Sequence, residues 1–487
     1  MHYTSMNIKE AKHIHFTGIK GTGLVSLVCC ALDLGIKVTG SDLEEEFVTD
    51  ETLKDRGVSW NIGFKKEHLI PKPDLVIFTG AHGGLDNPEV VAAQEMGVPV
   101  LSHFEALAQF AEGKKLIAVC GVGGKTTTAA MIATILEYSG LNPSWAIGVA
   151  DVPSLSGPGH FDRYGEYFVT EADEFVVSPG LDNRPKFHLL SPHLVVVTNI
   201  EHDHPDVYPT FSDTKKAYKV FFSKIPDDGF LLINGDNKNA MNLLQDEQKN
   251  YKFEYATYGK KLGLWEFKDE VFKDGKTEFK LKADMLDSKY WLDATLHVPG
   301  IFNLYNAAAA YAVSQNLLVD PKSGIEALEK YVGCKRRFEK IAELNDILFY
   351  DDYAHHPSEI EATLKAAREW FPDNRILVYF QPHTYSRTKA LFEEFATSFN
   401  SADFVGIADI FSSAREEKDP KVTSEKLVEE IKKHHPHPEN IVYEGDWKEG
   451  SEYLAKTLKP NDVFITIGAG DIYKIHRILI KKLKNKN

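Results

Sequence analysis

The stretch from Lys115 to Gly140 reads KLIAVCGVGGKTTTAAMIATILEYSG, and its order of residue types decides how the chain around it folds. Leu116 to Cys120 is a short apolar run with β-branched members, which is typical of a buried strand, and it ends at Gly121. The glycines that follow let the backbone curl so that successive N–H groups face one anion. The helix predicted from Lys125 adds the positive end of its dipole. The stretch therefore predicts a phosphate-binding loop between a strand and a helix.

Two side chains of this loop carry the predicted chemistry. Lys125 supplies a mobile cation for the outer phosphates of ATP, and Thr126 supplies a hydroxyl that can ligate Mg²⁺. The pattern is GxxGKTT and not the longer GxxxxGK[ST], because Val119 stands where the longer pattern has its first glycine. An ordinary glycine-rich turn with an exposed lysine is the alternative.

Length, composition and charge limit what kind of protein this is and which partners it can bind. The chain has 487 residues, which predicts about three domains by the usual size of a domain. Its net charge of -15 argues against a nucleic-acid partner. The four cysteines show no CxxC spacing, so we expect reduced core residues of a cytoplasmic protein. We expect no membrane partner, since no run is apolar and long enough to span a bilayer.

Alternating strand and helix patterns predict an α/β fold of three domains. We expect a Rossmann-like domain over residues 1–112, a central P-loop ATP-binding domain with a parallel sheet over 113–333, and a Rossmann-like domain over 334–487. The first domain opens with a strand, the glycine cluster Gly18, Gly21 and Gly23, a helix, and a second strand ending at Asp42. This order is typical of a nucleotide site. The glycine spacing departs from GxGxxG, so a dinucleotide-dependent oxidoreductase and a simple helix-packing role are weaker alternatives.

Polar residues follow three predicted strands of the central domain. Glu171 ends the first, Asn199 and His204 follow the second, and Asp236 follows the third. Because the carboxyl ends of parallel strands meet at one edge, we expect these residues to converge on the phosphate loop. Thr126, Glu171 and His204 are the predicted metal ligands, for Mg²⁺ or, given the imidazole, Mn²⁺. The alternative for His204 is a capping or core histidine. Residues 251–298 alternate in places and predict an antiparallel appendage.

The C-terminal domain repeats the pattern of polar residues after strands. His355 and His356 follow one strand and an aspartate pair, and His383 with Arg387 follows the next. Arg336 and Arg337 place two cations where they could contact ATP, with a hinge salt bridge as the alternative. No serine elbow, Cys/His pair or zinc spacing is present in the sequence, which leaves positioning and charge neutralisation around a transferring phosphoryl group.

The motifs GxxGKTTT, EADE, TNIEHDHPD, PGIFNLYNAAAA, RRFE, DDYAHHPSEI, FQPHTYSRT and GAGD occur in this order over nearly the whole chain. They resemble the motifs of the Mur ligases of peptidoglycan synthesis, and within that family the branch that joins L-alanine to UDP-N-acetylmuramate. The resemblance implies a first domain that binds the UDP-sugar, a second that binds ATP and a third that holds the amino acid. It also implies an acyl-phosphate intermediate, and a monomer or homodimer.

The resemblance assigns roles by motif position. For ATP it implies Gly121, Gly124, Lys125, Thr126, Thr127, Asn303, Asn306, Arg337 and Asp352; for the metal Thr126, Glu171 and His204; for the UDP-sugar Gly18, Gly21, Gly23 and Asp42; and for the amino acid Tyr353, His355, His383 and Arg387. Lys125, His204, His355 and Arg387 are the implied catalytic residues.

Some positions depart from the family pattern. Val122-Gly123 replaces a Thr-His pair, His103 stands where arginine is frequent, and Phe302 and Thr384 differ from the common residues. The segment from Phe175 to Phe187 is longer than in most relatives and is similar to that of the recycling ligase that attaches an intact tripeptide. A tripeptide acceptor is therefore one alternative, and a P-loop ATPase without ligase activity is a more distant one.

Overall fold

The protein is described by a computed structural model that covers residues 6–178, 182–203, 207–273, 275–282, 290–412 and 418–485. The chain forms two compact units. The first comprises Met1–Asp269, Phe279–Ala294 and Asn303–Val332, and the second comprises Glu270–Glu278, Thr295–Phe302 and Gly333–Asn487. Among the described residues, no helix is both long enough and apolar enough to cross a bilayer.

A five-stranded parallel sheet forms the N-terminal part of the first unit. Its strands are β1 (His13–Thr17), β2 (Lys37–Asp42), β3 (Asn61–Ile62), β4 (Leu75–Phe78) and β5 (Val100–Ser102), and its helices are α1 (Thr22–Asp33), α2 (Asp50–Asp55), α3 (Pro88–Glu95) and α4 (His103–Ala111). The strand order β3-β2-β1-β4-β5 reverses direction at β1, which is the doubly wound arrangement that the sequence predicts. The ends of β1 and β4 therefore lie side by side.

A larger sheet forms the central part of the chain. Its strands and helices are β6 (Lys115–Cys120), α5 (Lys125–Tyr138), β7 (Ser144–Ala146), β8 (Gly159–His160), β9 (Tyr167–Glu171), β10 (Val176–Ser178), β11 (Asp182–Pro185), β12 (Leu194–Val197), α6 (Phe211–Phe222), β13 (Phe230–Asn234), α7 (Lys238–Glu247), β14 (Glu254–Gly259), β15 (Trp265–Lys273), β16 (Lys276–Lys282), β17 (Trp291–Leu296), α8 (Ile301–Asn316) and α9 (Pro321–Leu328). The order is β17-β16-β15-β14-β13-β12-β6-β9-β7-β8, with β10 and β11 paired as a separate hairpin.

Burial explains why β6 is apolar from Leu116 to Cys120. The strand lies inside the sheet, paired in parallel with β12 on one side and β9 on the other, and these five residues are all buried, so both faces of the strand are covered. The expected antiparallel appendage is wrong for the start of its range, because β14 pairs in parallel with β13, and β15 pairs in parallel with β14. Alternation of polar and apolar residues indicates that one face of a strand is exposed. It does not indicate whether the strand pairs in parallel or antiparallel with its neighbour.

The second unit is built on a six-stranded sheet. Its strands are β18 (Glu339–Leu344), β19 (Ile347–Asp352), β20 (Arg375–Phe380), β21 (Phe404–Ile407), β22 (Ile441–Tyr443) and β23 (Asp462–Ile467), and its helices are α10 (Pro357–Trp370), α11 (Tyr385–Ala390), α12 (Phe392–Thr397), α13 (Ser424–His434), α14 (Trp447–Thr457) and α15 (Ile475–Lys484). The order is β18-β19-β23-β20-β21-β22, and only β18 runs antiparallel to its neighbour among the described pairs. Apolar cores cover both faces of this sheet.

Strand ends near the phosphate loop are shorter than the apolar runs suggest. The run Leu194 to Ile200 predicts one strand, yet β12 ends at Val197. The N–H of Thr198 makes the last ladder bond with β6, to the carbonyl of Cys120, and its hydroxyl donates to the carbonyl of Gly123 in the phosphate loop. These two bonds tie the end of β12 to the phosphate loop.

We expect Gly159→Ala to destabilise the first unit. A Cβ at Gly159 would overlap the carbonyl oxygen of Ser26 and lie 2.6 Å from its carbonyl carbon, where α1 packs on β8. Overpacking of this kind costs about 1–3 kcal/mol, so the free energy of unfolding in a urea titration should fall by about that amount.

Gly324→Ala is the matched control. This glycine lies inside α9, and its nearest neighbour for a Cβ is the Ser314 hydroxyl at 3.2 Å. Alanine is favoured over glycine in a helix by roughly 0.5–1 kcal/mol, so this variant should be as stable as the wild type or more so. Equal stability of the two variants would contradict the close packing of α1 on β8.

Candidate active site

The glycines of the phosphate loop are required by their surroundings. Gly121 has φ +127°, and a Cβ there would overlap the Thr198 hydroxyl and lie 2.7 Å from the carbonyl of Asn199. Gly124 has φ +84°, and its Cβ would lie 2.6 Å from Oδ1 of Asn306. Neither the left-handed backbone nor the space admits a side chain at these positions. The backbone of the loop is therefore in direct contact with the residues that follow β12 and with α8.

A side chain from the end of β12 holds the loop in shape. The N–H groups of Val122 and Gly123 both donate to Oδ1 of Asn199, at 2.8 and 3.1 Å. The Asn199 amide in turn donates to the carbonyl of Gly123. Helix α5 then begins at Lys125 without a side-chain cap among the described residues. The loop amides thus bond to Asn199, while the helix start presents its positive end toward any bound anion.

Lys125 is half-buried beside a group of carboxylates. Its ammonium donates to the carbonyl of Gly121 at 2.6 Å and lies 3.3 Å from the Glu174 carboxylate. Burial disfavours the charge, but Glu174, Asp173 and Glu171 together raise the pKa of Lys125 above its ordinary value. The side chain is therefore a permanent cation at neutral pH.

Thr126 and Glu171 form the only described part of the predicted metal site. The Thr126 hydroxyl donates to Oε2 of Glu171 at 2.8 Å, and Oε1 accepts the N–H of Gly148. A hydroxyl and a carboxylate at this separation are a donor set that suits a hard cation such as Mg²⁺. His204 lies outside the described residues, and no group of three metal-ligating side chains occurs within the described ranges.

The predicted nucleotide contacts of α8 lie directly against the loop. Oδ1 of Asn306 accepts the hydroxyl of Thr128, and its amide donates to Asn303 at 3.0 Å. Thr127 is half-buried in the first turn of α5. Asn303 and Asn306 are both buried, so α8 places two amide side chains beside the start of α5. Asp236 was also expected at the phosphate loop, but β13 lies two strands away from β6. Its carboxylate accepts hydrogen bonds from the hydroxyl of Tyr305 and from the N–H groups of residues 260–262.

The glycine turn after β1 is also tightly packed. Gly18 has φ +81°, and a Cβ there would overlap Thr79 at the end of β4. A Cβ at Gly23 would overlap the imidazole of His103. Gly21 donates its N–H to the carbonyl of Gly18, which closes the turn. The turn therefore presents backbone at its surface, as an anion or sugar site requires.

Asp42 is placed at the end of β2 and is fully buried. One of its oxygens accepts the N–H of Lys20, and the other accepts the N–H of Leu43. The sequence analysis did not single out Lys20, whose buried ammonium donates to the carbonyls of Leu43 and Glu45 and lies over the ring of Trp60. Its position between Gly18 and Gly21 was the sequence signal that could have identified Lys20.

The two neighbouring arginines of the second unit have different environments. Arg336 is buried, donates to Asp351 at 2.9 Å, and also donates to the carbonyls of Gly468 and Gly470. Arg337 lies over the ring of Tyr353. The expectation that both cations face a nucleotide therefore does not fit Arg336, whose guanidinium is used within the second unit.

Asp352 closes the same region at the end of β19. Its carboxylate accepts the N–H groups of Phe338 and Ala354, each at 2.8 Å. Burial raises the pKa of Asp352 to about 6 in spite of the opposing charge of Arg337. Two backbone N–H groups thus hold the carboxylate in a fixed position, and Arg337 is the cation that favours its charged form.

Four predicted residues of the amino-acid site come together in the second unit. The rings of Tyr353 and His355 are 5.4 Å apart, and those of His355 and His383 are 6.2 Å apart. Arg387 donates to Nδ1 of His383 at 3.4 Å. Sequence reasoning missed Phe411, whose ring stacks on His383 at 5.5 Å.

Burial favours the neutral form of both histidines in this cluster. Burial, the neighbouring His355 and Arg387 together lower the pKa of His383 to about 4. Burial also lowers the pKa of His355. Because Nδ1 of His355 contacts the carbonyl of Tyr353 at 3.1 Å, its proton lies on Nδ1 and Nε2 is left as an acceptor.

A further buried histidine, His476, is linked to Arg336 through Thr466 and Asp351. Nε2 of His476 contacts the Thr466 hydroxyl at 2.7 Å, and that hydroxyl donates to Asp351, the partner of Arg336. Nδ1 of His476 has no hydrogen-bond partner among the described residues. Burial lowers the pKa of His476 to about 4, so this ring is neutral in the folded protein.

Three family models together match most of the chain. The model "Mur ligase family, catalytic domain" matches residues 13–115, "Mur ligase middle domain" matches 119–314, and "Mur ligase, glutamate ligase domain" matches 336–470.

Curated and solved relatives agree with these matches. A UDP-N-acetylmuramate–L-alanine ligase of Desulforamulus reducens is 36% identical over 483 residues, covering 98% of each chain. One of Carboxydothermus hydrogenoformans is 38% identical over 479 residues, covering 98% of this chain and 97% of the relative. The crystal structure of UDP-N-acetylmuramate–alanine ligase from Thermotoga maritima matches with a TM-score of 0.79 at 26% identity, covering 98% and 100% of the two chains. A murein peptide ligase from Psychrobacter arcticus matches with a TM-score of 0.69 at 25% identity, covering 97% and 99%.

We expect His476 to make the second unit less stable in acid. An unfolded histidine binds a proton near pH 6.5, whereas the folded one does so only near pH 4, so unfolding takes up a proton between these values. The stabilising contribution is fully present above pH 6.5 and is lost as pH falls toward 4, by up to about 3 kcal/mol. Urea titrations from pH 4.5 to 7.5 measure this slope.

His476→Gln is the variant that isolates the effect, since glutamine keeps a polar group near Thr466 but does not titrate. Its free energy of unfolding should depend less steeply on pH than that of the wild type below pH 6.5. Parallel curves for the two proteins would show that His476 does not cause the acid sensitivity. His434→Gln, on an exposed part of α13, should leave the slope unchanged.

Proposed function

The chain belongs to the Mur ligase family, and on that premise we propose that it joins L-alanine to the lactyl carboxylate of UDP-N-acetylmuramate in an ATP-dependent step of peptidoglycan synthesis. The observation that carries the proposal is the arrangement of Lys125, Thr126 and Glu171 at the start of α5. Its support from outside the structure is the name shared by relatives of 36% and 38% identity.

The proposed reaction has two steps. A carboxylate oxygen of the lactyl group attacks the γ-phosphorus of ATP, the bond to ADP breaks, and an acyl phosphate forms. The amine of L-alanine then attacks the acyl carbon, and the tetrahedral intermediate collapses to the amide and inorganic phosphate. Residues of the chain contribute by positioning the reactants and by neutralising charge.

The ATP contacts are proposed residue by residue from the family motifs. They are Gly121, Gly124, Lys125, Thr126, Thr127, Asn303, Asn306, Arg337 and Asp352. The half-buried ammonium of Lys125 is suited to the outer phosphates, because the neighbouring carboxylates raise its pKa above the ordinary value and so favour its charged form. The amides of α8 are suited to the base or ribose, because they lie beside the helix start that would hold the phosphates.

Thr126 and Glu171 are the proposed ligands of Mg²⁺, with Mn²⁺ as an alternative. The ion, when bound, neutralises phosphate charge and orients the γ-phosphoryl group. His204 remains a proposed third ligand and a proposed catalytic residue on the strength of its motif alone.

The UDP-sugar is assigned to the turn after β1. The proposed contacts are Gly18, Gly21, Gly23 and Asp42. Packing of Thr79 and His103 against Gly18 and Gly23 fixes the turn, and Asp42 holds it through the N–H of Lys20.

We keep domain boundaries of 1–112, 113–333 and 334–487 as part of the proposal. The cytoplasm is the proposed compartment because ATP and UDP-sugars are made there. A monomer or homodimer remains a prediction.

Tyr353, His355, His383 and Arg387 are the proposed amino-acid site. Arg387 supplies a cation for the carboxylate of L-alanine or the acyl phosphate. The amino group must lose a proton before it attacks, and Nε2 of His355 is an acceptor in the tautomer that Tyr353 selects.

A tripeptide acceptor is the second candidate. The hairpin of β10 and β11 lengthens the chain after Glu174, and a murein peptide ligase is among the matching solved structures, with a TM-score of 0.69. The acceptor is therefore tested directly rather than assumed.

We expect purified protein to release phosphate only when ATP, UDP-N-acetylmuramate and an acceptor are all present. A panel of L-alanine, glycine, L-serine and the tripeptide should give the highest kcat/KM for L-alanine. Release of phosphate without the sugar nucleotide would favour a P-loop ATPase and reject the ligase. Preference for the tripeptide would replace L-alanine with the second candidate.

We expect Lys125→Ala to reduce acyl-phosphate formation by at least about 100-fold while the Kd of the UDP-sugar stays within about two-fold. Calorimetry with UDP-N-acetylmuramate and rapid-quench assays measure the two quantities. Because the substitution removes the cation opposite Glu174, it also threatens stability.

The double variant Lys125→Ala, Glu174→Gln separates these effects, since it removes both charges of the pair. It should unfold like the wild type and remain inactive. Lys115→Ala, which breaks an exposed ion pair with Glu166 at the other end of β6, is the control and should keep full activity. Parallel loss of UDP-sugar binding and activity in the folded double variant would contradict the assignment of the two sites.

A further inference from the structure

The hairpin of β10 and β11 carries a lysine that the proposed mechanism does not use. Lys186 follows β11, and its N–H donates to the carbonyl of Phe175. The next residue, Phe187, is completely buried and stacks on Phe221. Because Phe187 is anchored in the core and its N–H donates to the carbonyl of Asp173, the backbone at Lys186 has a fixed position. The lysine is therefore held in place by its neighbours along the chain.

The groups around the ammonium of Lys186 orient it, yet it can still donate a hydrogen bond to an anion. It donates to Asp173 at 2.7 Å and lies 5.2 Å from the ring centroids of both Phe104 and Phe175. Asp173 is its only hydrogen-bond acceptor among the residues that the structure describes. An ammonium has three donors, and this side chain is 20% exposed. Lys186 can therefore donate to a further anion without leaving Asp173.

Lys186 also lies between the two sites assigned to the substrates. On one side, Lys186 donates to Asp173, the residue before Glu174, whose carboxylate lies 3.3 Å from the ammonium of Lys125. On the other side, its ammonium lies 5.2 Å from the ring of Phe104, which contacts the ring of His103, and His103 in turn packs against Gly23 of the glycine turn. A substrate with its nucleotide at the glycine turn and its reacting group at the phosphate loop would therefore extend along this lysine.

The chemistry of the first step requires a cation at such a place. A carboxylate that attacks the γ-phosphorus approaches a group that is itself negatively charged, and the repulsion has to be offset. His103 does not supply the charge, because burial and the nearby Lys186 lower its pKa to about 4. Lys125 is engaged on the phosphate side by Glu174 and the loop carbonyls. Lys186, which contacts Asp173 on one side and the ring of Phe104 on the other, is a described cation placed to supply it.

We propose that Lys186 binds the lactyl carboxylate of UDP-N-acetylmuramate and positions it for phosphorylation. This inference rests on the proposed function, and it adds a substrate-binding residue outside the motifs that define the family. The ammonium lies over the rings of Phe104 and Phe175, and its hydrogen bond to Asp173 orients it before the substrate arrives.

The test compares two sugar nucleotides that differ in the lactyl group. UDP-N-acetylmuramate carries the carboxylate, and UDP-N-acetylglucosamine has the same diphosphate and base without it. Lys186→Met keeps the length of the side chain and its contacts with Phe104 and Phe175 but removes the charge. We expect its Kd for UDP-N-acetylmuramate, measured by calorimetry on the full chain, to rise about 10-fold or more, as for the loss of a charge-assisted hydrogen bond. Its Kd for UDP-N-acetylglucosamine should stay within about two-fold.

Further variants separate binding from folding. Lys186→Arg keeps the charge and should bind UDP-N-acetylmuramate within about three-fold of the wild type. Lys115→Met removes a lysine at the far end of β6 and should leave both Kd values unchanged. In steady-state assays, the KM for UDP-N-acetylmuramate should rise in Lys186→Met while the KM for ATP does not. If Lys186→Met were poorly folded, Asp173→Asn combined with it would restore the balance of charge, and the ratio of the two Kd values would still report on the carboxylate.

Each other outcome overturns the proposal. Equal weakening for both sugar nucleotides would place Lys186 at the diphosphate or in a structural role, and unchanged binding of both would exclude it from the site. If wild-type protein itself bound UDP-N-acetylmuramate no better than UDP-N-acetylglucosamine and did not ligate it, the proposed function would fail, which is a different result from failure of Lys186 alone.

Discussion

The parallel pairing of β6 with β9 and β12 is the constraint on which the candidate active site depends. Because the three strands run in one direction, their carboxyl ends deliver the phosphate loop, Glu171 and Asn199 to the same edge of the sheet. Each neighbour then bonds to the loop or to the helix after it, through Asn199 on one side and the Thr126–Glu171 bond on the other. A loop of small residues thus acquires one shape from contacts that its own sequence does not contain.

The second requirement is that charges removed from water be compensated, and neighbouring side chains of opposite charge do this. Lys125 and Lys186 are both cations in partly or fully buried positions, and the acidic run of Glu171, Asp173 and Glu174 lies between and around them. An unpaired buried charge costs several kcal/mol, so each cation needs its carboxylate to remain in place before substrate binds. Arg336 with Asp351 repeats the principle in the second unit, where the pair secures backbone carbonyls near Arg337.

Agreement between sequence and structure is best where one local pattern determines the outcome. The apolar run before Gly121 is a strand, the helix begins at Lys125, and the α/β class and the family follow from motifs that the comparisons match along the chain. Disagreement arises where partners are distant in sequence. The alternation after Tyr251 suggested antiparallel strands, whereas β14 and β15 join the parallel sheet, and Arg336 was expected to face a nucleotide but is used by Asp351. Neither the strand direction nor the partner of a buried arginine is encoded in the residues next to it.

The sequence by itself determined the order of strands and helices, the phosphate loop and the family, because glycine, β-branched and charged residues at fixed spacings impose local backbone geometry and local chemistry. Only the tertiary structure decided which side chains share a site. It placed Asn199 on the amides of the loop, His103 against Gly23, Phe411 on His383, and Lys186 beside Asp173. These contacts join residues separated by at least 13 positions in the chain, and they exist because packing of the sheet and its helices brings those positions within a few ångströms.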